Sequence, residues 1–179
     1  MLPLAEGRAL VVALLLLGGC AASDSKREPA TYDPAVHARI RTFNVNGAAI
    51  VFYPGKTCTS REDALTASHG GYSMLRANRT LGMPVPSDTP RAYHENIVVG
   101  AQPLTIASSF ELPGAVKVTC NPFSVSFTPE AGKDYDAHLA FSNNRCGIDI
   151  REITVTEQKV ETKPVRSQFA SRCSDLQPR

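Results

Sequence analysis

The sequence predicts an all-β domain, an antiparallel β-sandwich stapled by two disulfides, over residues 38–179. Three observations carry that expectation. Apolar side chains recur at every second position through most of the stretch. Turn signals built on Gly, Pro and Asn interrupt the alternation every ten residues or so. Four cysteines, Cys58, Cys120, Cys146 and Cys173, remain once Cys20 is set aside, and none forms the close C-x-x-C pair that a metal site would want.

The strands follow in order. Residues 39–45 and 48–53 read as two strands around Asn46-Gly47, a strong hairpin signal. Residues 54–91 are rich in Gly, Pro, Ser and Thr and read as a long irregular region. A short helical turn is expected within it, at Ala64 to Ala67 or Tyr72 to Ala77. Long loops on rigid sandwiches often bind something. Residues 93–99 form the next strand. Leu104, Ile106, Ser108 and Phe110 then alternate with Thr105, Ala107, Ser109 and Glu111. Pro113-Gly114 turns the chain, Val116, Val118 and Cys120 share a face, and Asn121-Pro122 reads as a further turn before Phe123, Val125 and Phe127. Residues 129–134 read as a hairpin loop. Tyr135, Ala137, Leu139 and Phe141 alternate next, residues 142–145 turn again, and Cys146, Ile148 and Ile150 share a face. The phase slips at Arg151-Glu152, as a β-bulge would produce. Beyond Pro164, the spacing of Val165, Phe169, Cys173 and Leu176 suggests a short amphipathic helix or an extended tail.

Four cysteines allow three pairings. In an antiparallel meander alternate turns lie at one end of the sheet, so the turns beside Cys120 and Cys146 would be neighbours. Both side chains also take the apolar parity. That favours Cys120–Cys146 and leaves Cys58–Cys173. If a strand crosses to the second sheet, Cys58 reaches Cys120 instead.

The N-terminus carries an address. Residues 9–17 are entirely Ala, Leu and Val, with Arg8 before them. The run is too short for a bilayer, which needs about 20 apolar residues, and it fits a secretory h-region. It ends Leu17-Gly18-Gly19-Cys20, the pattern of the bacterial lipobox, in which small residues admit the signal peptidase and the cysteine thiol takes the lipid. An ordinary signal peptide with an incidental cysteine is the weaker reading, because h-region, small residues and cysteine fall in register. Residues 1–19 are thus expected to be a lipoprotein signal peptide, and residues 20–37 an acylated Cys20 followed by a flexible tether in which Pro29 and Pro34 oppose a strand. Two or more acyl chains anchor stably, so the membrane is the first expected partner. Position +2 is Ala21, not Asp. By resemblance to lipoprotein sorting in Gram-negative bacteria, this implies an outer-membrane anchor facing the periplasm.

The phrases Ala131-Gly132-Lys133-Asp134-Tyr135 and Val99-Gly100-Ala101-Gln102-Pro103-Leu104 resemble turn and strand-start motifs of exported bacterial lipoproteins with immunoglobulin-like or transthyretin-like sandwiches. The chain is similar to small outer-membrane lipoproteins of unassigned function. The resemblance implies a sandwich fold and carries no catalytic residue.

The chemistry is sparse. A net charge of +2 implies neither nucleic acid nor an acidic substrate. Trp is absent, with five Tyr and seven Phe, which weakens the case for a sugar-stacking platform. His69 lies in Ser68-His69-Gly70-Gly71, and Ser68 or Ser73 with an Asp would complete a triad on paper, but no G-x-S-x-G elbow exists. His94 and Glu95 point to opposite faces of a strand. His138 alternates with Asp136 on what reads as a solvated face, and His37 precedes the first strand. Asn78-Arg79-Thr80 is a formal glycosylation sequon that the bacterial lipobox discounts, and Gly70-Gly71 lacks any phosphate-loop context. The expectation is a non-enzymatic binding or assembly module with no metal or cofactor and an envelope protein or glycan as partner. An inhibitor of a foreign enzyme is a subclass of it. The alternative is an envelope hydrolase with a loop-built site around His69.

Overall fold

The computed structural model describes residues 31–43, 48–58, 64–69, 79–112, 118–143, 145–157, 159–170 and 173. Among them there is no helix. Ten strands form two five-stranded sheets. Sheet A is ordered β4 (Tyr93–Val99), β1 (His37–Phe43), β7 (Asp134–Ser142), β8 (Arg145–Val155) and β9 (Val160–Pro164). Sheet B is ordered β10 (Gln168–Phe169), β6 (Val118–Phe127), β5 (Leu104–Leu112), β2 (Ala49–Pro54) and β3 (Leu65–His69). All pairings are antiparallel except β1 with β7. The all-β, two-sheet, two-disulfide architecture read from the alternation is therefore the one observed.

The core lies between the sheets because alternation sends one apolar set inward from each. Ala38 and Ile40 of β1, Tyr135 and Ala137 of β7, and Ile148 and Ile150 of β8 meet Ile50, Phe52, Ile106, Val125 and Phe127 from sheet B. The Phe127 and Tyr135 rings meet edge to face, with centroids 5.4 Å apart.

Several expectations need correcting. The strands flanking Asn46-Gly47 exist but do not pair: β1 joins β4 and β7, while β2 joins β3 and β5. Asn46-Gly47 itself lies outside the described residues, as do Pro113-Gly114, Tyr72 to Ala77 and Leu176. Residues 128–133 connect β6 in one sheet to β7 in the other, so they form a crossing and not a hairpin. Leu65 to Ala67 belong to β3 and not to a helical turn. Asn121-Pro122 does not turn the chain, because β6 runs straight through it. Ser108 pairs with Phe123 and Phe110 with Cys120, so Ser109 faces two residues of β6, a bulge that accommodates the missing N–H of Pro122. The slip expected at Arg151-Glu152 is absent. The β7–β8 register is unbroken from Asp134–Ile153 to Ser142–Arg145, and Ile153 is buried on the face opposite Ile150. The chain beyond Pro164 is extended and adds β10.

The first strand begins at His37, and a turn over residues 33–36 precedes it, with the His37 amide donating to the Asp33 carbonyl at 2.8 Å. The Gly100 amide donates to the Val36 carbonyl at 2.8 Å, so the last residues assigned to the tether are folded onto the domain. Residues 1–30 lie outside the described set.

The disulfides are Cys120–Cys146 and Cys58–Cys173, with Cα atoms 5.9 and 5.4 Å apart. The pairing is the one expected, but the meander used to reach it is wrong. Cys120 sits in sheet B and Cys146 in sheet A, so that bridge ties the two sheets together beside Phe110, Phe123 and Leu139. Cys173 is buried with Val51, Tyr53 and Ala107 on the outer face of sheet B, which pins the C-terminal segment across it.

Candidate functional site

The outer face of sheet A is the most highly charged buried region among the described residues. Alternation builds it: inward Ala38, Ile40, Tyr135 and Ala137 force Arg39, Arg41, Asp134, Asp136 and His138 outward, and Glu95 on β4 joins them. Ordinarily such a face is wet. Here Arg41, Glu95 and Asp136 are only 0, 1 and 2% exposed.

A strap, residues 79–86, contributes the cover. It begins with a parallel bridge of Arg79 to His94 on the edge strand β4, where the Glu95 amide donates to the Arg79 carbonyl. It is then fastened across the sheet through its backbone. Arg39 donates to the Leu81 carbonyl at 2.9 Å, and Arg41 to the Pro84 carbonyl at 2.7 Å and the Met83 carbonyl at 3.4 Å. One carboxylate oxygen of Glu95 accepts from the Leu81 and Met83 amides. Met83, within the strap, is buried.

Within the face, Arg41 lies between two carboxylates, 3.0 Å from Glu95 and 3.2 Å from Asp136. Arg39 makes a two-pronged pair with Asp134 at 2.7 and 2.8 Å. Arg39 stacks on Tyr32 and Arg41 on Tyr93, with guanidinium carbons 4.5 and 4.9 Å from the ring centroids. Burial pushes the Asp136 carboxyl up to about 6. Arg41 opposes that rise, Asp88 and Glu95 add to it, and Arg151 opposes it more weakly. His138 stacks on Phe43 at 4.2 Å, with Nε2 3.9 Å from Asp136. Burial, helped by Arg151, holds its imidazole below the ordinary histidine range, so it is neutral at pH 7.

The sequence places Asp136 and His138 on a solvated face; the structure corrects this for Asp136. Both residues lie on the outer side of the sheet, where Asp136 is buried beside Arg41 while His138 stays 31% exposed. Arg39, Arg41, Glu95 and Asp134 went unnoticed as a cluster. Their only sequence signal was outward parity between core residues. Which strands adjoin depends on the β1–β7 parallel pairing across 95 residues, which no local pattern encodes.

The other candidates are scattered. His69 ends β3 opposite Ala49 at the edge of sheet B, and its side chain and that of Ser68 lie outside the described residues, as does all of Ser73. His37 accepts a hydrogen bond from the Asp33 amide at 3.1 Å. His94 and Glu95 take opposite faces, as expected. Cys20 lies outside the described residues. Among the described residues no group of three His, Cys, Asp or Glu is placed to hold a metal, and no helix is long and apolar enough to cross a membrane.

No protein-family model, no curated protein and no solved structure matches this chain. The side chains themselves must then speak for the chemistry. On the outer face of sheet A, Arg39, Arg41, Glu95, Asp134 and Asp136 bond to one another, and Arg39, Arg41 and Glu95 also bond to the strap's backbone.

Proposed function

We propose that the chain is a lipid-anchored envelope lipoprotein whose sandwich acts as a non-enzymatic binding or assembly module at the outer membrane, facing the periplasm. The observation that carries the reading is Leu17-Gly18-Gly19-Cys20 at the end of an apolar run of h-region length. Two structural facts support it. A domain held by two disulfides suits an oxidising compartment. The charged groups of sheet A hold the fold's own strap, an arrangement that serves architecture better than turnover. An envelope protein or a glycan is the partner class this reading admits. Crosslinking in intact cells, followed by pulldown from solubilised envelopes, tests it. A discrete partner captured by the wild type and lost in Cys20→Ala supports the module. A hydrolase activity that co-purifies and disappears in His69→Ala overturns it.

A further inference from the structure

We propose that Asp136, Arg41 and Glu95 form a proton-operated latch for the strap: a proton taken up by Asp136 holds residues 79–86 closed over sheet A, and its loss loosens them. The geometry carries this. Two carboxylates, each almost wholly buried, contact the same guanidinium. With both ionised the trio has an excess negative charge in a dry site, where desolvation is severe. Two of the three fasten the strap, and Asp136 is coupled to it through Arg41. Arg41 donates to the Met83 and Pro84 carbonyls, and Glu95 accepts from the Leu81 and Met83 amides.

Opening the strap would free Arg41 and Glu95 from its backbone and admit water to the site that Arg41 shares with Asp136, which relieves the cost of that carboxylate's charge. Ionisation therefore favours the open strap, and a proton, drawn from solvent onto a carboxylate oxygen of Asp136, favours the closed one. With Asp136 neutral, Arg41 is left to Glu95 and the strap carbonyls. The charged and titratable groups around Asp136 come from every neighbouring element. They are Arg39 and Arg41 on β1, Glu95 on β4, Asp134 and His138 on β7, Asp149 and Arg151 on β8, and Asp88 just beyond the strap. Arg39 is already engaged by Asp134, and Arg151 by Asp149 at 2.7 Å. His138 is held neutral and adds no compensating charge at pH 7. The raised carboxyl of Asp136 agrees with this balance.

Amide hydrogen exchange of Leu81 and Met83 in the full-length protein tests the latch, with rates corrected for intrinsic pH dependence and with Ile106 in sheet B reporting global unfolding. A carboxyl at about 6 in the closed state that returns to 3.8 in the open one lowers strap protection about tenfold between pH 5 and pH 7.5. Asp136→Asn, which mimics the protonated side chain, is expected to keep the strap protected with no such slope. The same slope in both proteins, or a flat wild-type profile, overturns the proposal. Should Asp136→Asn fail to fold, carboxyl-carbon NMR on the wild type decides. Strap protection at Leu81 and Met83 that falls with pH and levels off where Asp136 titrates supports the latch, and titration near 4, or protection that does not follow the titration, overturns it.

Discussion

Replacing Arg41 by Leu keeps the β1 backbone and much of the side-chain volume but removes the one group that both Glu95 and Asp136 contact at 3.0–3.2 Å. Removing one partner of a buried ion pair costs about 3–5 kcal/mol, because the remaining charge stays buried and uncompensated. The Pro84 carbonyl also loses a 2.7 Å donor from a part-buried bond, which adds about 1 kcal/mol. A combined loss of about 4–6 kcal/mol at pH 7, from about 3–5 for the ion pair and about 1 for the Pro84 bond, would consume a large share of the stability of an ordinary domain. The companion change is Arg151→Leu. Arg151 pairs with Asp149 at 2.7 Å, but both side chains are about two-fifths exposed. Exposed pairs contribute about 0–1 kcal/mol. Urea unfolding followed by far-UV circular dichroism suits a chain without Trp. The expected result is a large fall in midpoint for Arg41→Leu, reduced at pH 5 as the stranded Asp136 carboxylate takes up a proton, and little change for Arg151→Leu. A loss under about 1 kcal/mol for Arg41→Leu at pH 7, or equal losses for the two variants, would refute the reasoning.

Other outcomes follow from the same structure. In Gly100→Ala the new Cβ would stand 2.7–2.9 Å from the backbone and Cβ of Ala131, and thermal unfolding should show a loss of about 1–3 kcal/mol. Chain-entropy arithmetic for a 115-residue separation gives about 5 kcal/mol for the Cys58–Cys173 bridge, against about 3.5 kcal/mol for the 26-residue Cys120–Cys146 bridge. Cys58→Ala/Cys173→Ala should therefore unfold at lower urea than Cys120→Ala/Cys146→Ala. The carboxyl of Asp136 is raised in the fold, so its contribution to stability is fully present below about pH 4 and is lost as pH rises through about 6. Between pH 7 and pH 5 this group adds about 1.3 kcal/mol, and Asp136→Asn should remove that part of the pH dependence in urea titrations.

What was legible in the sequence is what alternation encodes locally. Leu104 to Phe110, Tyr135 to Phe141 and Cys146 to Ile150 show a clean period of two, and each is a strand with the expected face inward. Short or polar strands carry too few apolar repeats to register. Leu65–His69, Val160–Pro164 and Gln168–Phe169 at the sheet edges were missed on that account. Asn121-Pro122 misled because Asn-Pro is a turn signal in isolation, whereas the bulge opposite Ser109 gives proline a place within β6. The disulfide pairing rests on the meander and on parity, and only parity survives the observed topology. Cys120 and Cys146 both face the core, but from different sheets. The buried charge of sheet A was not legible. Parity marks Arg41 and Asp136 as outward-facing, and no local pattern announces that residues 79–86 fasten onto Arg41 or that both side chains are buried.

The anchoring of this domain is tested most directly by the intact mass of the mature protein isolated from membranes. A chain that begins at Cys20 and carries a diacylglycerol on its sulfur, with or without a further acyl group on the amine, is the expected result. A mature chain cleaved at another residue, or one with an unmodified Cys20, would contradict the account.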